Sequence, residues 1–285
     1  MILVTGGCGF IGTHLVNRLI ELGNEVVVLD NISTGKKENL NKRAKLIVGD
    51  VRIPDDVGKA MKDCEACFHL AAITELRDAN DDLVYQTNFL ATKSIADIAE
   101  EFGVKLIYTS SAAVYGNGKI PNNEEGECKP LSQYGKSKLK SEKILKNAFV
   151  ARLFNTYGKG GNSFVNKLCK KIPNYDEFNV YGNGLQTRDF IHVSDIVDAL
   201  LLGVENSGIY NVGSGKETSV LQLMDIVKEI ANAKPLAKFT MPHENEISRS
   251  RADITKIKGL GWEPKVSIVD GIRMTLEESG VKLDH

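Results

Sequence analysis

The sequence has few cysteines, almost no net charge and no long apolar run, and each shortage removes a class of protein. Five cysteines, at positions 8, 64, 67, 128 and 169, are an odd and scattered set in a chain of 285 residues. They do not read as the disulfide framework that braces small secreted domains. Cys64 and Cys67 have C-x-x-C spacing, but no second pair accompanies them, and Cys67 opens the apolar run Cys67-Phe68-His69-Leu70. They read as thiols entering a buried strand, and no metal is expected. Thirty-six Lys and Arg against 37 Asp and Glu leave a net charge of −1, which gives no support for a nucleic-acid or anionic-membrane partner. No apolar stretch approaches the roughly 20 residues that a bilayer requires. A first strand beginning at Ile2 leaves no room for a signal peptide, so a cytoplasmic protein is expected. Internal repeats and low-complexity segments are also missing. What remains is 42% hydrophobic and 26% charged residues, enough for one large domain or two smaller ones with a real core.

The richest stretch is the first thirty residues. Ile2-Leu3-Val4 reads as a buried strand, Gly6-Gly7-Cys8-Gly9 as a turn, and Phe10 to Leu22 as a helix with Ile11, Leu15, Leu19 and Leu22 on one face. Gly23-Asn24 stops that helix, and Val26 to Leu29 is a second strand ending on Asp30. Free N–H groups and the helix dipole favour a phosphate at such a helix start. Gly6 and Gly9 let the backbone reach it, and Gly12 lets helix and strand pack closely. At the end of the second strand, Asp30 can accept hydrogen bonds from an adenosine ribose and would repel a 2′-phosphate. NAD is therefore expected over NADP, with Lys36 and Lys37 weakening the preference slightly.

The same alternation continues. Leu46-Ile47-Val48 is a third strand with Asp50 just beyond it, Pro54 to Lys62 a short helix, and Ala66 to Leu70 a fourth strand followed by the small pair Ala71-Ala72. Tyr85 to Phe102 is a helix, and Asn88 on it reads as a group that holds a loop. Lys105 to Thr109 is a fifth strand running into Ser110 to Gly116, a helix starts near Ser132, and Phe149 to Leu153 is a sixth strand. This predicts an α/β fold, a doubly wound parallel sheet of Rossmann type, with ligands beyond the carboxyl ends of the strands. After Gly158 the pattern changes to a helix at 163–171, the run Thr187 to Asp195 followed by a helix to Leu202, one strand at 208–212, a helix at 221–231, and a last helix near 268–278. The expected domains are 1–158 plus about 188–213 for the dinucleotide, and 159–187 plus 214–285 as a smaller substrate-binding lobe.

Tyr134 and Lys138 stand at i and i+4 on one helix face. A phenol has an ordinary pKa of about 10. A neighbouring ammonium lowers it toward that of a working base. Ser111, at a strand end, can hydrogen-bond a substrate hydroxyl. The three could remove a proton from a carbinol whose carbon gives up hydride to NAD. His192 reads as a structural histidine.

The chain resembles the extended short-chain dehydrogenase/reductases, the NAD-dependent nucleotide-sugar epimerases and dehydratases, and among them the UDP-glucose 4-epimerases most. The resemblance rests on Thr5 to Gly12, Leu70 to Ala72, Ser110 to Gly116, Tyr134 to Lys138, Arg152 to Asn155, Thr187 to Val193 and Leu260 to Pro264. It implies that Phe10 and Ile11, then Asp30, Asn31, Ser33, Thr34 and Gly35, line the NAD site with Asp50 and Val51. It adds Leu70, Ala71, Ala72 and Thr74, together with Asn88, Thr109, Tyr134, Lys138 and Phe154. Asn155 and Arg188 would hold the nucleotide diphosphate, Asn179, Val180 and Tyr181 would lie near the base, and His243 and Glu246 would complete the substrate site with Ser111 and Tyr134.

Two departures matter. Dehydratases of the family carry an acidic pair where this chain has Ala112 and Ala113, so water elimination lacks its acid and base. Where epimerases place a diphosphate-binding Arg, this chain has His243, and Arg249 or Arg251 is the other source of a cation. The resemblance thus implies C4 epimerisation of a UDP-sugar, UDP-glucose and UDP-galactose, through a transient 4-keto sugar, by a homodimer. Ser250 occupies a gating position and is small, which extends the expectation to N-acetylated sugars. The alternatives are another nucleotide-sugar enzyme of the family, a dehydratase or reductase, and a dinucleotide-binding protein without turnover.

Overall fold

The structure is a computed structural model that describes residues 1–74, 80–174, 177–233, 236–241, 247–281 and 283. The chain forms two compact units, Met1–Gly116, Glu127–Leu153 and Val197–Tyr210 in the first, Asn117–Gly126, Phe154–Ile196 and Asn211–His285 in the second. Where the sequence expectation set bounds at 158, 188 and 213, the units change at 153, 196 and 210. Residues 117–126 join the second unit because Asn122 bridges Ala252 and takes a backbone hydrogen bond from Asp253.

The first unit begins with β1 (Ile2–Thr5), α1 (Phe10–Glu21), β2 (Val26–Asp30), β3 (Lys45–Val48), α2 (Pro54–Met61) and β4 (Ala66–His69). There follow α3 (Asp81–Tyr85), a π-helical turn at Gln86–Leu90, α4 (Ala91–Phe102), β5 (Lys105–Ser111), α5 (Gln133–Glu142) and β6 (Phe149–Leu153). One helix was expected over 85–102. The observed one starts four residues earlier, capped by Asn80, and passes through the π turn.

The second unit holds β7 (Asn155–Tyr157), α6 (Phe164–Lys171), β8 (Glu177–Tyr181), β9 (Thr187–Arg188) and β10 (Phe190–His192). Then come α7 (Val193–Leu201) and β11 (Gly208–Val212), of which Val197–Tyr210 belongs to the first unit, and β12 (Thr218–Ser219), α8 (Val220–Ala231), β13 (Leu236–Thr240), α9 (Thr255–Lys258) and α10 (Ile268–Glu278).

Seven strands form one sheet in the order β11-β6-β5-β4-β1-β2-β3, with every pair from β6 to β3 parallel. Near-continuous apolar strands such as β1 and β2 are wholly buried, as a sheet covered on both faces requires. The order runs outward in both directions from β1 and β4, so the chain reverses its winding between them, and a crevice opens at their carboxyl ends. One core layer joins Leu3, Leu29, Val57, Met61 and Cys67 to Ile95 and Ala99 of α4. The second unit has short strand pairs, β7 with β10, β9 with β12 and β8 with β13, and its own core of Tyr157, Leu168, Ile172, Leu223, Val227 and Leu276.

Candidate active site

Gly6 has φ +70°, and a Cβ there would lie 2.8 Å from the Ala71 backbone nitrogen, so the β1 turn and the segment after β4 meet backbone to backbone. A Cβ on Gly12 would reach the Gly6 carbonyl at 2.2 Å, which fixes the close seating of α1 on its strand. Gly9 faces open space apart from that same carbonyl and caps α1 without any side-chain hydrogen bond; the first turn has no acid. By contrast α5, α6, α8 and α10 each have a serine cap. The N–H groups at the start of α1 are therefore left for an anion, and this cradle fits a dinucleotide diphosphate.

Asp30 is buried at the end of β2. Its two carboxylate oxygens accept the N–H groups of Cys8 (2.9 Å) and Ile32 (2.8 Å), and each keeps capacity for a further donor such as a ribose hydroxyl. Asn31, Ser33 and Thr34 are exposed beside it, with Gly35 packed on the Cys8 backbone. Asp50 is gripped by Arg52 through Nε (3.0 Å) and Nη2 (2.6 Å), which holds its carboxyl down at about 2. Val51 has its side chain in the core, so only its backbone can meet a ligand. Phe10 and Ile11 are half-buried on the first turn of α1.

A relay of hydrogen bonds shapes the segment after β4. The Thr5 hydroxyl accepts from Ala71 N–H (3.2 Å), which leaves its proton for His69 Nδ1 (2.7 Å). His69 Nε2 then donates to the Thr92 hydroxyl (2.9 Å), which donates to the Asn88 carbonyl (2.7 Å). Because the Thr92 hydroxyl gives its proton to Asn88, Nε2 must be the donor, and in the neutral imidazole Nδ1 then accepts from Thr5. Burial, helped by the charge on Lys138, pushes His69 down to about 3. Asn88, on the π turn, accepts from Ile73 N–H and donates to Ile73 O, both at 2.8 Å. It therefore fixes the stretch carrying Leu70, Ala71, Ala72 and Thr74.

Ser111 ends β5 and its hydroxyl accepts from Ala113 N–H at 3.2 Å. Tyr134 and Lys138 stand one turn apart on α5, with the Lys138 amine 5.8 Å from the Tyr134 ring centre. Between them, a Cβ on Gly135 would come within 2.7 Å of the Ala113 carbonyl, so the first turn of α5 lies directly on the turn that follows Ser111. The structure thus brings Ser111, Tyr134 and Lys138 into one neighbourhood of the first unit. Lys138 is buried, donates to the Thr109 carbonyl (2.7 Å), and sits 4.6 Å from the Tyr108 ring centre. Burial pushes its amine down to about 7, against the raising effect of Glu142.

In the second unit, Asn155 N–H donates to the Asp189 carbonyl (3.0 Å), and Asn155 pairs in the β7–β10 ladder with Phe190, two residues along the chain from Arg188. Arg188 is half-buried and donates to Thr187 O at 2.8 Å; Phe154 is buried next to the exposed Asn155. Asn179 is exposed on β8 and Tyr181 partly so, but the Val180 side chain is packed into the core, so only its backbone can face a base. His243 and Glu246 lie outside the described residues. Arg249 is taken up by Glu217 through two contacts of 2.7 and 3.0 Å, whereas Arg251 Nε has no hydrogen-bond partner among the described residues. His192 is buried, pairs with Ser194 and lies edge-on to Tyr157, a structural role.

The match to known proteins follows this geometry. Residues 2–213 match the model of the NAD dependent epimerase/dehydratase family. The chain belongs to that family. Its cofactor is NAD, and the glycine cradle with Asp30 is where this chain's residues fit it. The epimerase/dehydratase relatives include a Methanocaldococcus jannaschii protein named "Putative UDP-glucose 4-epimerase", 36% identical with 96% of each chain covered. The Arabidopsis thaliana UDP-glucuronic acid decarboxylase 1 is 33% identical, over 95% of this chain and 68% of its own length. Among solved structures, the UDP-glucose 4-epimerase of Thermotoga maritima with UDP-glucose superposes with a TM-score of 0.92 at 33% identity, covering 97% of each chain.

Sequence reasoning missed Thr5, Glu142 and Arg152. Glu142 looks like one more surface charge in the polar run Lys136 to Lys143, yet it is buried against Arg152. The signal available was its spacing, four residues beyond Lys138 and eight beyond Tyr134 on the same helix face.

Proposed function

We propose that the chain interconverts the C4 epimers of a UDP-sugar, UDP-glucose and UDP-galactose, through a transient 4-keto sugar. The observation that supports this best is the Tyr134–Lys138 pair of α5 laid on the Ser111 turn, with Ala112 and Ala113 where an eliminating enzyme needs acids. Tyr134 takes the proton of the sugar 4-hydroxyl as general base and later returns it as general acid. Lys138 holds the cofactor ribose and stabilises the phenolate, and the Ser111 hydroxyl guides the proton. A bound NAD would supply the hydride acceptor for C4 and the donor for its return, so no external oxidant would be consumed. Asn155 and Arg188 hold the diphosphate. Arg251 supplies the further cation, because the Arg249 guanidinium is already occupied by Glu217. Small Ser250 admits N-acetylated sugars as well.

A second reading is favoured by the decarboxylase relative. Oxidation at C4 of UDP-glucuronate makes the C5 carboxylate β to a ketone, and such acids lose carbon dioxide without a dedicated acidic pair. The test is incubation with UDP-glucose, UDP-galactose, their N-acetylated forms and UDP-glucuronate, with products resolved by NMR. A C4 epimer is the expected product. Carbon dioxide release from UDP-glucuronate without epimerisation of the hexoses would replace the proposal with decarboxylation, and a 4-keto-6-deoxy sugar would refute both.

A further inference from the structure

Below the Tyr134–Lys138 pair lies a buried ionic group that the proposed chemistry leaves unused. The Glu142 carboxylate accepts from Arg152 Nη2 (2.7 Å) and Nε (3.0 and 3.2 Å), and from the Ser110 hydroxyl in a very short contact. Arg152 Nη1 donates to the buried Tyr115 hydroxyl at 2.9 Å. The side chains of Glu142 and Arg152 are only 2% and 4% exposed. Desolvating two charges is costly, and replacing such a pair by apolar residues is often neutral or even stabilising. A contribution to stability is therefore a weak explanation for its presence.

The placement suggests a better one. Glu142 follows Lys138 by one turn of α5 and binds Ser110, the residue between Thr109, whose carbonyl holds Lys138, and Ser111. Consecutive residues of β5 are thus tied to consecutive turns of the helix that carries the pair. The titratable groups that act on the Lys138 amine are His69 on β4, Tyr108 on β5, and Tyr134 and Glu142 on α5; Arg152 on β6 binds Glu142 and, through its other nitrogen, Tyr115 after β5. Burial keeps His69 neutral and the Tyr108 phenol protonated. Glu142 is the anion of this set, and it raises Lys138 against the lowering effect of burial.

We propose that Glu142 is a positioning residue for the Tyr134–Lys138 pair: seated by Arg152 and Ser110, its carboxylate pins α5 to β5 and β6 and supplies the buried negative charge that lets Lys138 remain an ammonium. The role assigned to the pair rests on the proposed function; the charge on Lys138 does not.

The test uses NAD-loaded protein carrying ε-13C-labelled lysine, with the Lys138 resonance assigned through Lys138→Arg and followed by NMR against pH. Glu142→Gln alone would strand Arg152, so the neutral variants are paired, Glu142→Gln with Arg152→Gln, and Glu142→Leu with Arg152→Met, whose apolar surfaces favour folding. In either, the Lys138 midpoint should fall by about one unit or more, a tenfold loss of ammonium at a given pH. Arg152→Lys, which keeps the carboxylate charged, should leave it within about half a unit, and the alkaline limb of turnover should move with the midpoint. A Lys138 midpoint unchanged in a folded paired variant would overturn the proposal. So would Arg152→Lys lowering it as far as the paired variants, since packing would then be the cause. The titration needs no substrate, so it stands or falls separately from the epimerase reading.

Discussion

Tyr134 is the residue on which turnover should depend most steeply. Its phenol is the acid–base group, and loss of one such group typically slows a reaction 10²–10⁴-fold. Tyr134→Phe should reduce UDP-galactose interconversion by about that factor, while circular dichroism and NAD binding stay as in the parent; near-full activity would remove Tyr134 from the chemistry. Asp30 should decide between cofactors. Its carboxylate accepts from Cys8 and Ile32 and keeps lone pairs for a ribose. Hydrogen bonds to a charged group contribute about 1.5–3 kcal/mol, so Asp30→Ala should weaken NAD roughly tenfold or more and bring NADP closer to parity. Calorimetry on both cofactors checks this, and tighter NADP binding by the parent would contradict it.

At the scale of elements, the βαβ start was legible because three signals coincide: apolar strands, a 3.6-residue period, and glycines where a side chain would collide. The π turn at Gln86–Leu90 was not, since a single wide turn inside a continuous helix is too short to read from an apolar period. The union of residues 117–126 with the second unit was hidden too, because it rests on pairing between residues 130 positions apart along the chain, Asn122 with Ala252. Glu142 was overlooked for the reverse reason: composition made its helix look solvated, and tertiary packing overrode that. The link from β4 to α4 through His69 carries its own prediction. Unfolded histidine titrates near 6.5, whereas folded His69 titrates near 3, so between those values the unfolded chain binds the extra proton. Stability should therefore fall as pH drops from 6.5 toward 3, and His69→Gln should flatten that part of the urea-midpoint profile. An unchanged slope would assign the acid lability elsewhere.

For the whole molecule, the expectation is a homodimer. Leu83, Tyr85, Leu90 and Phe102 on α3 to α4, and Leu131 just before α5, are large apolar side chains left partly exposed in the single chain. In a two-fold dimer such a face would pair isologously, patch on like patch. Light scattering at micromolar concentration should give twice the 31.2 kDa chain mass, and Leu90→Glu should shift it toward the monomer. A monomeric parent would end the idea. Among the described residues no helix is long and apolar enough to cross a membrane.

The uncapped start of α1 bears on supply as well as on chemistry. A helix end that no side chain caps is a place where the polypeptide gains a partner when an anion arrives. Mass action then makes NAD a folding ligand: each tenfold rise in free cofactor above its dissociation constant adds about 1.4 kcal/mol to the native state. Stripped protein should melt below the loaded form, and its midpoint should climb with added NAD but barely with nicotinamide alone, which has no diphosphate to offer. A midpoint indifferent to NAD would mean that the cradle is already complete. In a cell, the standing amount of this protein would then follow the dinucleotide pool, so that starvation for cofactor is felt first as turnover of the chain itself.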